Sequence, residues 1–242
     1  IQFLIREELK KFNTIFKSKG SAAILMDVNN GEVLSMISYP DFNLNKREKI
    51  DDINYINRAT KGVYELGSVF KTFTIAAGLD AGLIESKTKF LNLEKKLNCG
   101  KSTITEYDNK ILSNLTVEEI LIKSGNIGSV RIGQMLEIEG LKSFLEKIGV
   151  LSKIDFDIEE VGEPIPFRWG KCKLATASFG HGITTTPLQL AKGYSIITNG
   201  GFDIKPTLIK RDKDNINNKN RIIKEGISEK LNPILRKIVT NK

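Results

Sequence analysis

Apolar residues recur at helical spacing at the start of the chain. Ile1, Ile5, Phe12 and Phe16 fall on one side of a segment with glutamates early, lysines late and a glycine at position 20. This order favours a helix because acidic groups stabilise the N-terminus of a helix and basic groups its C-terminus. The pattern predicts an amphipathic helix over residues 1–19.

The rest of the chain alternates between helical and extended patterns. The turn-forming Asn29-Asn30-Gly31 separates two short β-prone runs and predicts an antiparallel hairpin. Residues 42–60 are predicted to be a polar linker and residues 90–114 an irregular lobe. Short helices are predicted at residues 141–148 and 231–239, and the Lys-, Asn- and Asp-rich stretch 203–224 predicts a surface excursion.

Ser68 opens an apolar, Ala-rich run that predicts a buried helix, with Gly67 giving a sharp entry. Lys71 follows three residues later, so both side chains share a helix face within hydrogen-bond reach. A nucleophile beside a base is the arrangement that covalent catalysis needs, and lysine serves as the base only where burial or a second cation lowers its pKa. The pair predicts acyl transfer at a serine.

Ser-x-x-Lys alone is a weak signal, because about two chance matches are expected in a chain of this serine and lysine content. A second match, Ser86 to Lys89, lies in a polar, charged stretch with no apolar face to desolvate its lysine. The surrounding sequence, and not the motif, therefore favours Ser68.

Ser124-Gly125-Asn126 interrupts two helical segments about fifty residues further on. Thr116 and Glu119 form a capping-box pattern that opens the first segment, and helical periodicity resumes over residues 127–137. A tight turn here presents a hydroxyl and an amide to a neighbouring helix start, as a proton relay and a substrate clamp require. The alternative is that both side chains only cap the second helix.

Composition limits the remaining possibilities. The 242 residues are 40% hydrophobic and 27% charged, which suits one globular domain, and the order of predicted helices and strands fits one α/β unit. The net charge of +8 is dispersed and no nucleic-acid reader motif occurs, so a nucleic-acid partner is not expected. Two cysteines and one histidine cannot assemble a metal framework, and no cofactor is implied.

Three further features leave alternatives open. Cys99 and Cys172 could form a disulfide if the domain lies outside the cytoplasm. His181 invites a Ser-His-Asp hypothesis, but its flanking glycines favour a tight structural loop before a helix that Thr186 caps and Pro187 opens. No apolar run approaches the roughly 18 residues of a membrane span, and no signal-peptide pattern occurs.

These motifs resemble the serine acyltransferases of the penicillin-binding protein and β-lactamase fold. The likeness continues through residues 23–36, 38–42, 57–59 and 177–191, which are similar to the class B penicillin-binding proteins. Gly180-His181-Gly182 looks more like the division-specific, septal type than the elongation-specific type. The resemblance implies an α/β (α+β) fold in which helices flank an antiparallel sheet.

The resemblance also implies a reaction, D,D-transpeptidation of peptidoglycan stem peptides ending in D-Ala-D-Ala. Ser68 is then the nucleophile, Lys71 its base, Ser124 the proton relay and Asn126 the substrate clamp. β-Lactams are expected to acylate Ser68. The implied partners are a glycosyltransferase and division proteins, and the implied location is the periplasmic side of the inner membrane.

Three departures from the family pattern stand out. Leu66 replaces a proline, Gly125 replaces the usual serine, and no Lys-Thr-Gly strand follows position 239; Lys123-Ser124-Gly125 matches that pattern by coincidence. We therefore expect residues 1–242 to be a single transpeptidase domain that lacks its C-terminal strands, with a membrane anchor and pedestal domain upstream in the parent protein.

Other functions remain compatible with the same motifs. A serine β-lactamase shares the first motifs, but needs a group that drives deacylation. A non-catalytic division scaffold or penicillin sensor is compatible with the absent third motif, as is an inactive fragment of an active enzyme.

Overall fold

The computed structural model describes residues 1–43, 45–46, 53–100, 102–211 and 220–240. Its helices are α1 (Gln2–Phe16), α2 (Lys71–Asp80), α3 (Val117–Ile122), α4 (Asn126–Lys147), α5 (Lys171–Ala177), α6 (Pro187–Thr198) and α7 (Ile227–Thr240). Its strands are β1 (Ser21–Met26), β2 (Val33–Tyr39), β3 (Lys89–Phe90), β4 (Lys96–Cys99), β5 (Ser102–Thr105) and β6 (Leu115–Thr116). The predicted linker and surface excursion lie partly outside the described residues.

The N-terminal hairpin forms as predicted. Strands β1 and β2 pair antiparallel, with Ser21 opposite Tyr39 and Met26 opposite Val33. Gly31 closes the turn at φ 78°, and a Cβ at this position would lie 2.4 Å from the Lys205 backbone oxygen. A glycine is therefore required both by the backbone conformation and by the close approach of a second segment.

Helix α1 forms, but its most apolar side faces solvent. It packs on the hairpin through the side that buries Asn13, while Ile1 is 71% exposed and Phe16 is 65% exposed. The helix ends before the predicted Gly20 because Lys17 adopts a left-handed conformation, with φ 51°.

The hydrophobic core lies among the helices. Every residue of α2 from Lys71 to Leu79 is buried, and α2 packs mainly against α4. Helix α4 contains the predicted segment 127–137 and residues 141–147 of the predicted helix 141–148, and Glu137 interrupts it with a non-helical backbone at φ 58°. The core helices thus surround the segment that follows Ser68.

The predicted lobe over residues 90–114 is more ordered than expected, so the prediction of an irregular segment is wrong in part. Strands β4 and β5 form an antiparallel hairpin, and β3 pairs with β6. A disulfide joins Cys99 at the end of β4 to Cys172 in α5. Helix α7 begins four residues before the predicted 231, and Thr186 caps α6 as predicted.

Candidate active site

Ser68 lies on a 3-10 turn, Gly67–Phe70, that continues directly into α2. Gly67 makes the sharp entry with φ 64°. Ser68 is exposed, whereas Lys71 is only 1% exposed. Their spacing brings Lys71 Nζ to 3.0 Å from Ser68 Oγ. The predicted contact between Ser68 and Lys71 is therefore present.

Neighbouring elements hold this turn from two sides. The backbones of Tyr64 and Thr185 exchange two hydrogen bonds, each 3.0 Å long. The Tyr194 hydroxyl from α6 lies 2.9 Å from both the Val69 carbonyl oxygen and Thr72 Oγ1. The position of Ser68 is thus set by contacts to α6 and to the segment that precedes α6.

The Ser-Gly-Asn turn (Ser124, Gly125 and Asn126) meets Lys71 from the other direction. The predicted capping box of Thr116 and Glu119 opens α3, and the turn separates α3 from α4. Lys71 Nζ lies 2.6 Å from the Ser124 carbonyl oxygen and 2.8 Å from Ser124 Oγ. Lys71 therefore links the two predicted serines.

Burial lowers the pKa of Lys71 to about 8, while the Glu106 carboxylate opposes that shift. A neutral lysine amine has two N–H groups and one lone pair. The Ser124 carbonyl can only accept, so it takes one N–H, and Ser124 Oγ can accept the other. The lone pair is then directed at Ser68 Oγ, as a base that accepts the hydroxyl proton would be.

Asn126 is the first residue of α4 and lines a cleft beside the turn. Its Nδ2 donates to the Thr105 carbonyl oxygen at 2.8 Å. No hydrogen bond to Asn126 Oδ1 occurs in the described part of the chain. The other residues lining this cleft, called the site cleft because it adjoins Asn126, come from β4–β5, α5 and the loop after α5, and include Cys99, Thr103, Cys172, Thr176, Phe179 and His181. Ser68, Lys71 and Ser124 lie beside the site cleft and do not line it.

The loop after α5 closes against the entry to Ser68. Gly182 N donates to Glu65 Oε2 at 2.8 Å, and His181 Nδ1 lies 3.3 Å from the same oxygen. Gly180 has φ 84°, and a Cβ there would lie 1.9 Å from the Gly67 carbonyl oxygen. The predicted tight loop is present, and His181 points outward with 68% of its side chain exposed.

Sequence reasoning identified Ser68, Lys71, Ser124 and Asn126, and the structure brings the first three into direct contact. Asn126 lies beside them on the turn. Lys89 of the second Ser-x-x-Lys match is exposed. No group of three metal-ligating side chains occurs among the described residues.

Sequence reasoning missed two carboxylates. Glu106 binds the N-terminus of α4, and Glu65 binds the loop at Gly182. Both contacts join segments far apart in the chain, so no local pattern indicates them. The sequence offered one indication of these carboxylates, which is that Glu65 lies three residues before Ser68.

Comparison with known proteins identifies the family of this chain. The family described as "Penicillin binding protein transpeptidase domain" matches residues 21–242. The "Probable peptidoglycan D,D-transpeptidase FtsI" of Caulobacter vibrioides is 31% identical over 98% of this chain and 40% of its own length. The "Probable peptidoglycan D,D-transpeptidase PenA" of Neisseria flavescens is 30% identical, over 97% of this chain and 58% of the relative. The chain thus spans about half the length of these relatives.

Solved structures share the fold. The transpeptidase domain of penicillin-binding protein 3 from Burkholderia pseudomallei superposes with a TM-score of 0.86 at 24% identity, covering 98% of this chain and 68% of that one. The predicted α/β class, with helices flanking antiparallel strands, is confirmed. The match over residues 21–242 exceeds half of the sequence, and the chain therefore belongs to the penicillin-binding protein transpeptidase domain family.

Proposed function

We propose that this chain carries the acyl-transfer site of a peptidoglycan D,D-transpeptidase. The observation that carries the proposal is the contact of one buried amine, Lys71 Nζ, with both Ser68 Oγ and Ser124 Oγ. The names of the relatives, which are called peptidoglycan D,D-transpeptidases, support the choice of substrate.

Acylation begins at the neutral Lys71 amine. Lys71 accepts the Ser68 hydroxyl proton as Oγ attacks the carbonyl carbon of the penultimate D-Ala. The Ser68 backbone N–H is one donor for the oxyanion that forms. The C–N bond then breaks, and the proton passes through the Ser124 hydroxyl to the departing D-Ala nitrogen. The products are an ester on Ser68 and free D-Ala.

Transfer of the acyl group from Ser68 to a second stem peptide reverses these proton movements. The amine of a second stem peptide attacks the ester carbon and loses a proton through Ser124 and Lys71, and Ser68 Oγ recovers a proton as it leaves. Asn126 Oδ1 is oriented to accept an N–H of the bound peptide, because its Nδ2 is already held by the Thr105 carbonyl. A β-lactam enters the same sequence, since its amide takes the place of the D-Ala-D-Ala bond.

The wider setting is part of the proposal. We propose that residues 1–242 form a single transpeptidase unit and that the protein works in septal wall synthesis, on the periplasmic side of the inner membrane. A glycosyltransferase and division proteins are the proposed partners. Within the described ranges, no helix is long and apolar enough to cross a bilayer.

The intact mass of the chain after incubation with benzylpenicillin tests the proposal. One stable adduct is expected on the wild-type chain and none on the Ser68→Ala variant. A folded chain that forms no adduct would contradict the proposal and favour a scaffold. Rapid turnover of the β-lactam instead of stoichiometric capture would favour a β-lactamase.

A further inference from the structure

Glu106 occupies an unusual place beside the Ser-Gly-Asn turn. It directly follows β5, and its carboxylate spans the first two backbone amides of α4: Oε2 lies 2.5 Å from Asn126 N and Oε1 lies 2.9 Å from Ile127 N. The first turn of a helix leaves such N–H groups without intrahelical partners. Gly125, the N-cap residue, has no side chain to satisfy them, so the cap comes from a separate segment twenty residues away.

The residue before Glu106 holds the same turn. The Thr105 carbonyl oxygen accepts from Asn126 Nδ2 at 2.8 Å. Thr105 and Glu106, at the end of β5, thus bind both the side-chain amide and the backbone N–H of Asn126. Ser124 sits two residues earlier in a left-handed conformation, with φ 55°. Such a backbone is unfavourable for a residue with a Cβ, so contacts from outside the turn must maintain it.

Glu106 also acts on Lys71 through its charge. Its carboxylate raises the pKa of Lys71 and so opposes the larger, lowering effect of burial. Two carboxylates near this site are paired with basic side chains: Glu94 with Arg131, and Glu118 with both Lys87 and Lys237. Glu65 lies beside His181, and Glu119 accepts hydrogen bonds from Thr116. Lys173 of α5 lines the site cleft together with Asn126, and Lys123, directly before the turn, is exposed.

We propose that Glu106 is the positioning residue of this site: its carboxylate, bound to the first two amides of α4, fixes the Ser-Gly-Asn turn against Lys71 and brings a negative charge to that side of the site. The inference rests on the proposed acyl transfer at Ser68. In chemical terms, the Glu106 carboxylate sets the positions of Ser124 and Asn126 and also influences the protonation of Lys71.

The test compares Glu106→Gln, Glu106→Asp and a matched control, Glu94→Gln. Glu94 lies in the same lobe and pairs with Arg131, so its replacement removes an equal charge without touching the turn. Lys71 is titrated directly by NMR with 13Cε-labelled lysine, its resonance being identified by its absence in Lys71→Arg. The acylation rate is measured separately with benzylpenicillin.

In Glu106→Gln we expect the titration midpoint of Lys71 to fall by roughly half a pH unit, since a nearby opposite charge is lost. The acylation rate should fall about tenfold or more, because the glutamine –NH₂ faces a backbone N–H and one of the two cap contacts is lost. Glu106→Asp should keep the wild-type midpoint and recover part of the rate. Glu94→Gln should leave both measurements unchanged.

The inference is overturned if Glu106→Gln titrates and reacts like the wild-type chain, or if Glu94→Gln shifts the midpoint equally. Far-UV circular dichroism shows whether each variant is folded, and the aspartate variant provides the charge-retaining comparison. Because the titration uses no β-lactam, a midpoint shift confined to the glutamine variant supports the inference even where the wild-type chain forms no adduct. The missing adduct would then overturn the proposed function alone.

Discussion

Lys71 shows how burial converts an ordinary residue into a possible base. At its usual pKa of 10.5 the neutral fraction of a lysine at pH 7 would be about 0.0003, whereas at a pKa of about 8 it is roughly one tenth. Burial in α2 therefore increases the reactive form by roughly 300-fold. The position of the side chain inside the helical core, more than its contact with Ser68, makes general-base chemistry possible near neutral pH.

The acylation rate should follow this titration. Lys71 must be neutral to accept the Ser68 proton, so the rate constant for benzylpenicillin should rise with pH and level off above about 8. Between pH 7 and pH 9 the expected increase is roughly tenfold, with the midpoint near pH 8, after subtraction of the spontaneous hydrolysis of the drug. A profile that is flat, or that falls with pH over this range, would show that Lys71 is not the base.

Two substitutions separate the hydroxyl of Ser124 from its backbone conformation. At φ 55° an alanine is strained whereas a glycine is not, so Ser124→Gly should be more stable than Ser124→Ala by ~1 kcal/mol in urea unfolding. Both variants lose the proton relay and should acylate on the order of 100-fold more slowly than the wild-type chain. A glycine variant that reacts at the wild-type rate would rule out the relay role.

The sequence predicts the short-range part of this site and not the long-range part. Ser68 and Lys71 share a helix face, so their contact follows from their spacing. Glu106 contacts Asn126 across twenty residues and Glu65 contacts Gly182 across 117, and no periodicity encodes either pair. Family resemblance, and not local pattern, connected Ser124 to Ser68.

Among the elements, the β4–β5 hairpin has a role that composition concealed. Its polar, charged sequence predicted an irregular lobe, yet its end holds Asn126 through Thr105 and Glu106. Helix α5, which the sequence did not predict, leads into the loop that packs against Gly67. The disulfide between Cys99 and Cys172 joins these two elements beside the site cleft.

Loss of this disulfide should loosen both walls of the cleft. The bond closes a loop of 73 residues, so its chain-entropy contribution is at most ~4 kcal/mol. We expect the Cys99→Ser/Cys172→Ser variant to unfold at lower urea concentration. It should also acylate more slowly, because the hydrogen bonds from the end of β5 to Asn126 are then less firmly held. Dithiothreitol should reproduce both effects in the wild-type chain and change nothing further in the variant. Equal unfolding midpoints with and without reductant would contradict the prediction.

Helix boundaries were predictable where a cap marks them. Thr116 and Thr186 open α3 and α6 as their capping boxes indicate, because those signals are local. Gly20 placed the end of α1 three residues too late, because Lys17 takes the left-handed conformation instead. The start of α7 has no capping box and was predicted four residues too late. The side on which α1 packs was also hidden, since its orientation depends on tertiary contacts to the hairpin.

At the scale of the whole molecule, two surfaces differ from those of a typical soluble monomer. The β1–β2 pair forms a sheet of only two strands within the described residues. A two-stranded sheet leaves unpaired backbone groups along its edges, which favours pairing with other chains. Helix α1 lies on this hairpin and leaves several large apolar side chains exposed on more than one side: Ile1, Phe3, Leu4, Phe12, Ile15 and Phe16.

Helix α1 packs on the hairpin, so both features belong to one part of the molecule, and the 242-residue chain should self-associate at micromolar concentration. Exposed apolar side chains gain about 25 cal/mol per Å² of surface removed from water when they bury against a second surface. Sedimentation velocity over a concentration series should show a rising average sedimentation coefficient. Phe12 and Phe16 share one face of α1, with ring centroids 4.5 Å apart. The double variant Phe12→Glu/Phe16→Glu should remain monomeric over the same range, because each glutamate would have to be buried in the contact.

A matched control decides whether self-association depends on the α1 surface or on any exposed apolar side chain. Leu112 lies on the lobe and is 60% exposed, comparable to Phe16 on α1. If association depends on the α1 surface, Leu112→Glu should associate like the wild-type chain. If Leu112→Glu is as monomeric as the double variant, or if the wild-type chain is monomeric at every concentration, the α1 surface does not drive contact between copies. Because neither α1 nor Leu112 contacts Ser68, all three chains should acylate at the same rate when monomeric.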